Sequence, residues 1–544
     1  MKTTKYISAA VLAALAFTAC EKDFDILPES GTLLASQVQE TNTLNPERGL
    51  ATFNGLFSAL GQPLTTFGSS GRADDFGFIA MHLSNDYEGP DAILPDSGYN
   101  WFSVCGEYTS RTPSYANPYL RYATPYRTIA AVNDFLVSYP EDVEDPEILS
   151  MLAQSRALRA WCYMLLAPDF QFGYAAGAQD KPCVPIVTEH TEDFTNNPRA
   201  TVAEVYALIM EDLNYALEHL AGVERSSKMN IDQQVVYGLR ARTYLAMGKF
   251  AEAAADAEKA AEGYEPASIE EVSKPSFMDV NEHNWIWGYD MTTDMALKYR
   301  YATAASWLSS FSGWGYTAGA ACYVQINNLL YEKIPETDVR KGWWLDENLY
   351  SPLLEGLTWG PFTGLEIPEG TITDEKEPMP AYTNVKFGCN PIGTTANSED
   401  YPFMRVEEMI LIQAEGYAKS GQEAKGREIL ENFVKTYRDP EYSAAAGGRS
   451  LADEIWYQRR VELWGEGFAM GDIKRLNKPL VRFHAGKSSI WPGNFRFNIA
   501  ANDGWLLMRF PQDEMNTNYG IVDNTDGNLP VIEQNGGLRD GVTD

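Results

Sequence analysis

The chain has 544 residues, of which 75 are acidic and 43 basic, for a formal charge of −32 at neutral pH. Such a field repels phosphate backbones and leaves no basic face for counterion release, so nucleic acid is excluded as a ligand class. Five scattered histidines and the lack of CxxC or HExxH spacing give no metal pattern, and no cofactor is expected.

Residues 1–20, MKTTKYISAAVLAALAFTAC, open with Lys2 and Lys5 and continue through an apolar core too short to span a membrane as a stable helix. The small residues Thr18 and Ala19 directly precede Cys20, as in a lipobox, with Phe17 where such boxes usually hold Leu. The expected layout is a signal peptide over 1–19, an acylated Cys20, a tether over 20–40 and a folded body over 41–544. No later run approaches the roughly 18 apolar residues of a spanning helix, so lipid on Cys20 is the one membrane attachment expected. Cys105, Cys162, Cys183, Cys322 and Cys389 then remain, an odd number that leaves at least one thiol free.

The stretch 82–103, HLSNDYEGPDAILPDSGYNWFS, is broken by two prolines and two glycines and gathers Asp86, Tyr87, Asp91, Asn100 and Trp101. It is expected to form a polar, aromatic loop. Helical periodicity follows over 118–139, 145–167, 202–220 and 231–263. The last of these has the small-large alternation of a tetratricopeptide repeat, with Ala241, Tyr244, Leu245, Gly248, Phe250, Ala253, Ala254 and Ala260.

Three more helical segments, 401–422, 423–437 and 451–467, bring the set to about four helix pairs, above the three or so repeats that bury a continuous core. In the third, Arg459, Glu462 and Glu466 fall at spacings of three and four, so their heads are expected to meet on one face. The length admits three or four domains. A repeat left unpaired would expose an apolar face, however, so the expected fold is mostly α: a tetratricopeptide-like helical-repeat bundle over about 118–263 and 401–476, interrupted by a large irregular insertion with short strands over about 264–400, all in a single compact unit.

The insertion holds seven of the 13 tryptophans, among them Trp285 and Trp287, whose alternation reads as a strand with one buried face. The segment 306–323, SWLSSFSGWGYTAGAACY, sets Trp307, Trp314 and Tyr316 among Gly and Ser, a pattern suited to displaying rings on a loop. Rings cover the C–H face of a pyranose while carboxylates and amides satisfy its hydroxyls, so this chemistry points to a glycan. DNTDGN at 523–528 lacks the spacing and terminal Glu of an EF-hand and reads as a surface turn.

The wording of two segments is specific. MRVEEMILIQAEGYAKSG at 404–421 and QRRVELWGEGFAMGDIKRL at 458–476 closely resemble the C-terminal signature of the SusD/RagB family, outer-membrane lipoproteins that bind nutrients for a transporter partner. PYRTIAAVNDFL at 125–136, SRALRAWCYMLLA at 155–167, ETDVRKGWW at 336–344 and RFPQDEMNTN at 509–518 resemble further elements of that family.

The resemblance implies a surface-exposed lipoprotein of a Bacteroidetes-type outer membrane, with Glu21, Asp23 and Asp25 as its export tag, that passes oligosaccharide to a SusC-like TonB-dependent transporter. It carries Trp101 over as a sugar-stacking residue, with Asp86, Tyr87 and Asn100 around it and Trp307, Trp314 and Tyr316 supplied by the insertion. Arg156 and Arg159 are expected to pack with paired heads rather than to clamp ligand. Peptide binding, or an adaptor surface with no small ligand, are the alternatives. An acid–base pair such as Asp86 and Asp91 would suit a glycoside hydrolase, but the resemblance is to a non-catalytic family and no enzyme is expected.

Overall fold

The computed structural model describes residues 35–63, 72–95, 101–299, 301–313, 315–355, 358–359, 365–366, 379–534 and 536–544. The export signal and Cys20 lie outside the described residues.

Helix α1 (Gly77–Glu88) precedes a stack of eight: α2 (Ala116–Leu136), α3 (Pro146–Phe170), α4 (Val202–His219), α5 (Gln233–Ala246), α6 (Phe250–Ala261), α7 (Val406–Lys419), α8 (Glu423–Tyr437) and α9 (Leu451–Glu462). Each packs on the next, and the short α10 (Ala469–Arg475) returns onto α1. Local signals set the starts. The Asp145 carboxylate accepts the N–H groups of Glu147 and Ile148 at the head of α3, and Thr201 and Glu204 form a reciprocal capping box on α4. Between α5 and α6 the chain turns at Gly248, whose φ of +73° suits glycine.

The join across the insertion is direct. Helix α6 packs on α7 as closely as consecutive helices do, because Ala253, Ala254, Ala257 and Ala260 present a small face and Gly416 meets it. A Cβ on Gly416 would lie 2.5 Å from the Phe250 carbonyl oxygen and 2.9 Å from the Ala254 methyl.

Two strands stitch the insertion at its ends. β1 (Trp285–Tyr289) pairs antiparallel with β2 (Tyr401–Arg405), Trp285 opposite Arg405 and Tyr289 opposite Tyr401. This differs from the helix expected to begin at 401: Tyr401, Pro402 and Phe403 are extended, and helix α7 starts only at Val406. β1 is also buried on both faces rather than one, because Trp161 and Phe403 pack on Trp287 while the Trp285 indole is held by Glu282. The remaining described strands are two to four residues long and pair two by two.

A single apolar cluster runs from Phe53 to Val542 and takes in both the repeats and the insertion. Five insertion tryptophans, Trp285, Trp287, Trp307, Trp343 and Trp344, belong to it. They bury flat area while each of three indole N–H groups finds a backbone carbonyl: Trp287 donates to Met229, Trp307 to Ala73 and Trp343 to Val272. All five described cysteines are buried free thiols. The Asp523 carboxylate accepts the Phe510 N–H, tying the irregular 523–528 segment to the chain before it.

Candidate functional site

Trp101 lies just before a short helix, Ser103–Glu107, and keeps 37% of its surface exposed. The Arg72 guanidinium sits 4.7 Å from its ring centroid, held on its other side by Asp74 at 2.8 Å. Burial pushes the Tyr316 phenol pKa up, and the neighbouring Trp101 indole opposes that rise. Tyr301 meets Tyr316 edge-on at 5.8 Å and is likewise 37% exposed.

Tyr316 is fixed from behind. It stacks on Trp307 with centroids 4.0 Å apart and planes within 6°, and its backbone N–H donates to Ser306 Oγ. The loop before it is anchored by backbone hydrogen bonds between Gly313 and Thr394 and between Gly393 and Phe311. A Cβ at Gly313 would overlap the Gly393 carbonyl at 2.0 Å, so the two glycines let the strands of this loop touch.

The resulting patch has two open rings, a half-buried phenol and a guanidinium paired to the buried Asp74 carboxylate. It can cover a flat C–H face and satisfy hydroxyls beside it.

The other expected residues go elsewhere. Trp307 is 0% exposed and supports Tyr316 instead of offering a face to ligand. Asp86 is buried and accepts the Gly467 and Ala469 N–H groups at 2.9 and 3.1 Å, so it positions the turn after α9. Tyr87 is buried against Phe102. These three positions are corrections to the expected set: the stretch from 82 to 88 is helix α1 in the core, and among the described residues of 82–103 it is Trp101 that reaches the surface. Asn100 and Trp314 lie outside the described residues.

Asp91 is buried in a two-bond pair with Arg460 at 2.7 and 2.8 Å, so Asp86 and Asp91 do not form a reachable acid–base pair. Arg159 grips Asp212 with two bonds of 2.8 Å, and Arg156 lies over the Tyr215 ring. Arg72 and Tyr301 were not legible as site residues. Tyr301 sits in an aromatic run of the insertion, a weak signal, and Arg72 had none.

A family model of SusD-like proteins, described as starch-binding and associating with the outer membrane, matches residues 81–245. The SusD family model matches 373–528, and together the two cover more than half of the chain. The chain belongs to the SusD/RagB family. No curated protein matches it.

Among solved structures, a SusD-like carbohydrate binding protein from Bacteroides vulgatus superposes with a TM-score of 0.70 at 23% identity, covering 87% of this chain and 97% of its own. A SusD superfamily protein from Bacteroides thetaiotaomicron gives 0.67 at 19% identity, with 88% and 99% covered. Another from Bacteroides fragilis gives 0.63 at 20%, with 88% and 98% covered. The shared property is the fold.

The SusD/RagB wording of this chain encodes a buried charge knot. Arg405 binds Glu466 through two bonds of 2.8 Å and reaches Glu407 and Glu462. Arg438 grips Glu462 at 2.8 and 2.9 Å, while Arg340 joins Asp338, Gln458 and Glu462. Lys386 completes it on Glu466 and the Glu462 and Trp464 carbonyls.

Four cations thus face four carboxylates, all buried. The expected meeting of Arg459 with Glu462 does not occur: Arg459 pairs with Asp472 at 2.8 Å, and α9 ends at Glu462, which turns Glu466 away from the helix face.

Proposed function

We propose that this protein is a cell-surface lipoprotein, anchored through acylated Cys20 in the outer membrane, that captures oligosaccharide and passes it to a SusC-like TonB-dependent transporter. The observation that carries the capture reading is the aromatic patch, with Trp101 and Tyr301 open beside Arg72 and Tyr316 braced on Trp307. The solved SusD-like carbohydrate binding protein from Bacteroides vulgatus, which has the same fold, supports it. Asn100 and Trp314 extend the patch in this reading by their nearness in sequence to Trp101 and Tyr316.

The lipobox-like segment supports the anchor; no helix among the described residues is long and apolar enough to cross a membrane. The transporter and the surface location rest on family membership. Each ring contributes on the order of 1 kcal/mol beyond area burial, so capture is weak per sugar and the ligand leaves readily.

Calorimetric titration of the detergent-solubilised protein against an oligosaccharide panel and a mixed peptide panel tests the reading. One glycan class is expected to bind, and Trp101→Ala to weaken it about tenfold with the melting temperature unchanged. Binding of peptides alone would move the site to the peptide-binding class, and full affinity in the folded Trp101→Ala protein would remove the patch from the mechanism.

A further inference from the structure

A groove in the insertion is lined mainly by side chains of the 331–353 segment, together with Ser273 and Tyr382, and shares no lining residue with the aromatic patch. Its volume is about 740 Å³, within the range of clefts that hold small-molecule ligands. Three tyrosines line it. Tyr331 and Tyr382 meet edge-on with centroids 5.2 Å apart, and Tyr350 keeps 37% of its surface exposed.

The charged side chains lining the groove are five carboxylates, Glu332, Glu336, Asp338, Asp346 and Glu347, and one cation, Lys341. Asp338 is buried in its pair with Arg340, and Glu336 holds Lys341. Glu332, Asp346 and Glu347 have no cation partner among the described residues, so the groove keeps an excess of negative charge. That charge lies against the rings: burial raises the pKa values of Tyr331 and Tyr382, and Asp346 and Glu347 add to both rises.

Lys341 shows how this wall holds an ammonium. Its Nζ lies 5.2 Å from the Tyr331 ring centroid and donates to the Ile334 carbonyl as well as to Glu336. The backbone beside the rings is already spent. The Leu345 N–H donates to the Thr383 carbonyl and the Tyr382 N–H to the Leu345 carbonyl, while Trp344 is bridged to Asn384. An extended peptide, which binds through such backbone groups, is therefore a poorer fit than a ligand held by rings and carboxylates.

We propose that this groove is a second ligand site, taking an oligosaccharide of free amino sugars whose ammonium groups meet Glu332, Asp346 and Glu347 and whose pyranose faces lie against Tyr350 and Tyr382. The rings select the sugar, and the unpaired carboxylates select the amine over its neutral N-acetyl form. The site is independent of the aromatic patch.

Triglucosamine, its fully N-acetylated counterpart, spermidine and trilysine are the probes, titrated by calorimetry into the detergent-solubilised protein at about pH 6, where the amines are protonated. Triglucosamine is expected to bind at least tenfold more tightly than each of the other three. Combining Glu332→Gln, Asp346→Asn and Glu347→Gln removes the unpaired charges, and the new Asn oxygen can still accept the Asn348 and Tyr350 N–H groups that Asp346 holds. This variant is expected to keep its melting temperature and to lose the preference over the N-acetylated trimer, and Tyr350→Ala to weaken triglucosamine about tenfold.

Equal affinity for the two trimers in the unaltered protein, or a preference that survives the triple variant, would overturn the charge selection. Spermidine or trilysine binding as tightly as triglucosamine, or full affinity in the folded Tyr350→Ala protein, would overturn the sugar assignment. No triglucosamine binding at millimolar concentration would overturn the site.

Discussion

Asp86 lies in a polar run that reads as ligand-facing, yet its carboxylate is spent on two backbone N–H groups of the turn after α9. Burial pushes its pKa up to about 7, against those two bonds and Lys386, with Glu466 adding to the rise. A raised folded pKa means that the unfolded chain loses this proton first, so the group's contribution is fully present below about pH 4 and falls as pH rises towards 7. Asp86→Asn removes that titration. Its melting temperature relative to wild type is expected to be higher at pH 7.5 than at pH 4.5, by an amount corresponding to a few kcal/mol at most. Scanning calorimetry at the two pH values checks it, and a constant offset would show that Asp86 does not titrate in this window. Residue type was legible here and residue placement was not: Asp86, Tyr87 and Trp307 have the composition of a sugar site, but α1 and the shared core bury them.

Gly416 shows what an element boundary can hide. Nothing in the run from Val406 to Lys419 says that this helix meets α6, which ends 145 residues before it begins. The contact exists because a glycine on α7 faces an alanine ridge on α6. Gly416→Val forces the Phe250 carbonyl and Ala254 apart and is expected to cost about 1–3 kcal/mol, as overpacking does. A lowered denaturation midpoint with unchanged helical circular dichroism is the expected reading; an unchanged midpoint would mean that α6 and α7 separate freely. Helices α2 to α6 were legible from periodicity. β2 was not, since the spacing of Met404 fits a helix equally well and only pairing with β1 decides it.

Across the whole molecule, the charge knot ties together parts of the chain that no local signal connects. Arg405 on β2, Arg340 and Lys386 in the insertion, Arg438 after α8, and Glu462 and Glu466 around the end of α9 satisfy one another in the core. Arg405→Met leaves Glu466 to Lys386 alone and Glu407 to Arg438 alone, and is expected to destabilise by about 3–5 kcal/mol, the cost of breaking a buried ion pair by removing one partner. Because the knot holds the insertion on the repeats, limited proteolysis should then cut first within 264–400. Cleavage starting in the repeats instead would assign the knot to local helix stability.

The sequence by itself determined the helical repeats, their interruption and the family, because periodicity and motif wording are local and additive along the chain. Only the tertiary structure decided which aromatic rings are open. Trp307 and Trp101 have similar neighbours in sequence, but one braces Tyr316 inside the core and the other faces outward beside Arg72. That difference is burial, which depends on what packs over a side chain from distant parts of the chain.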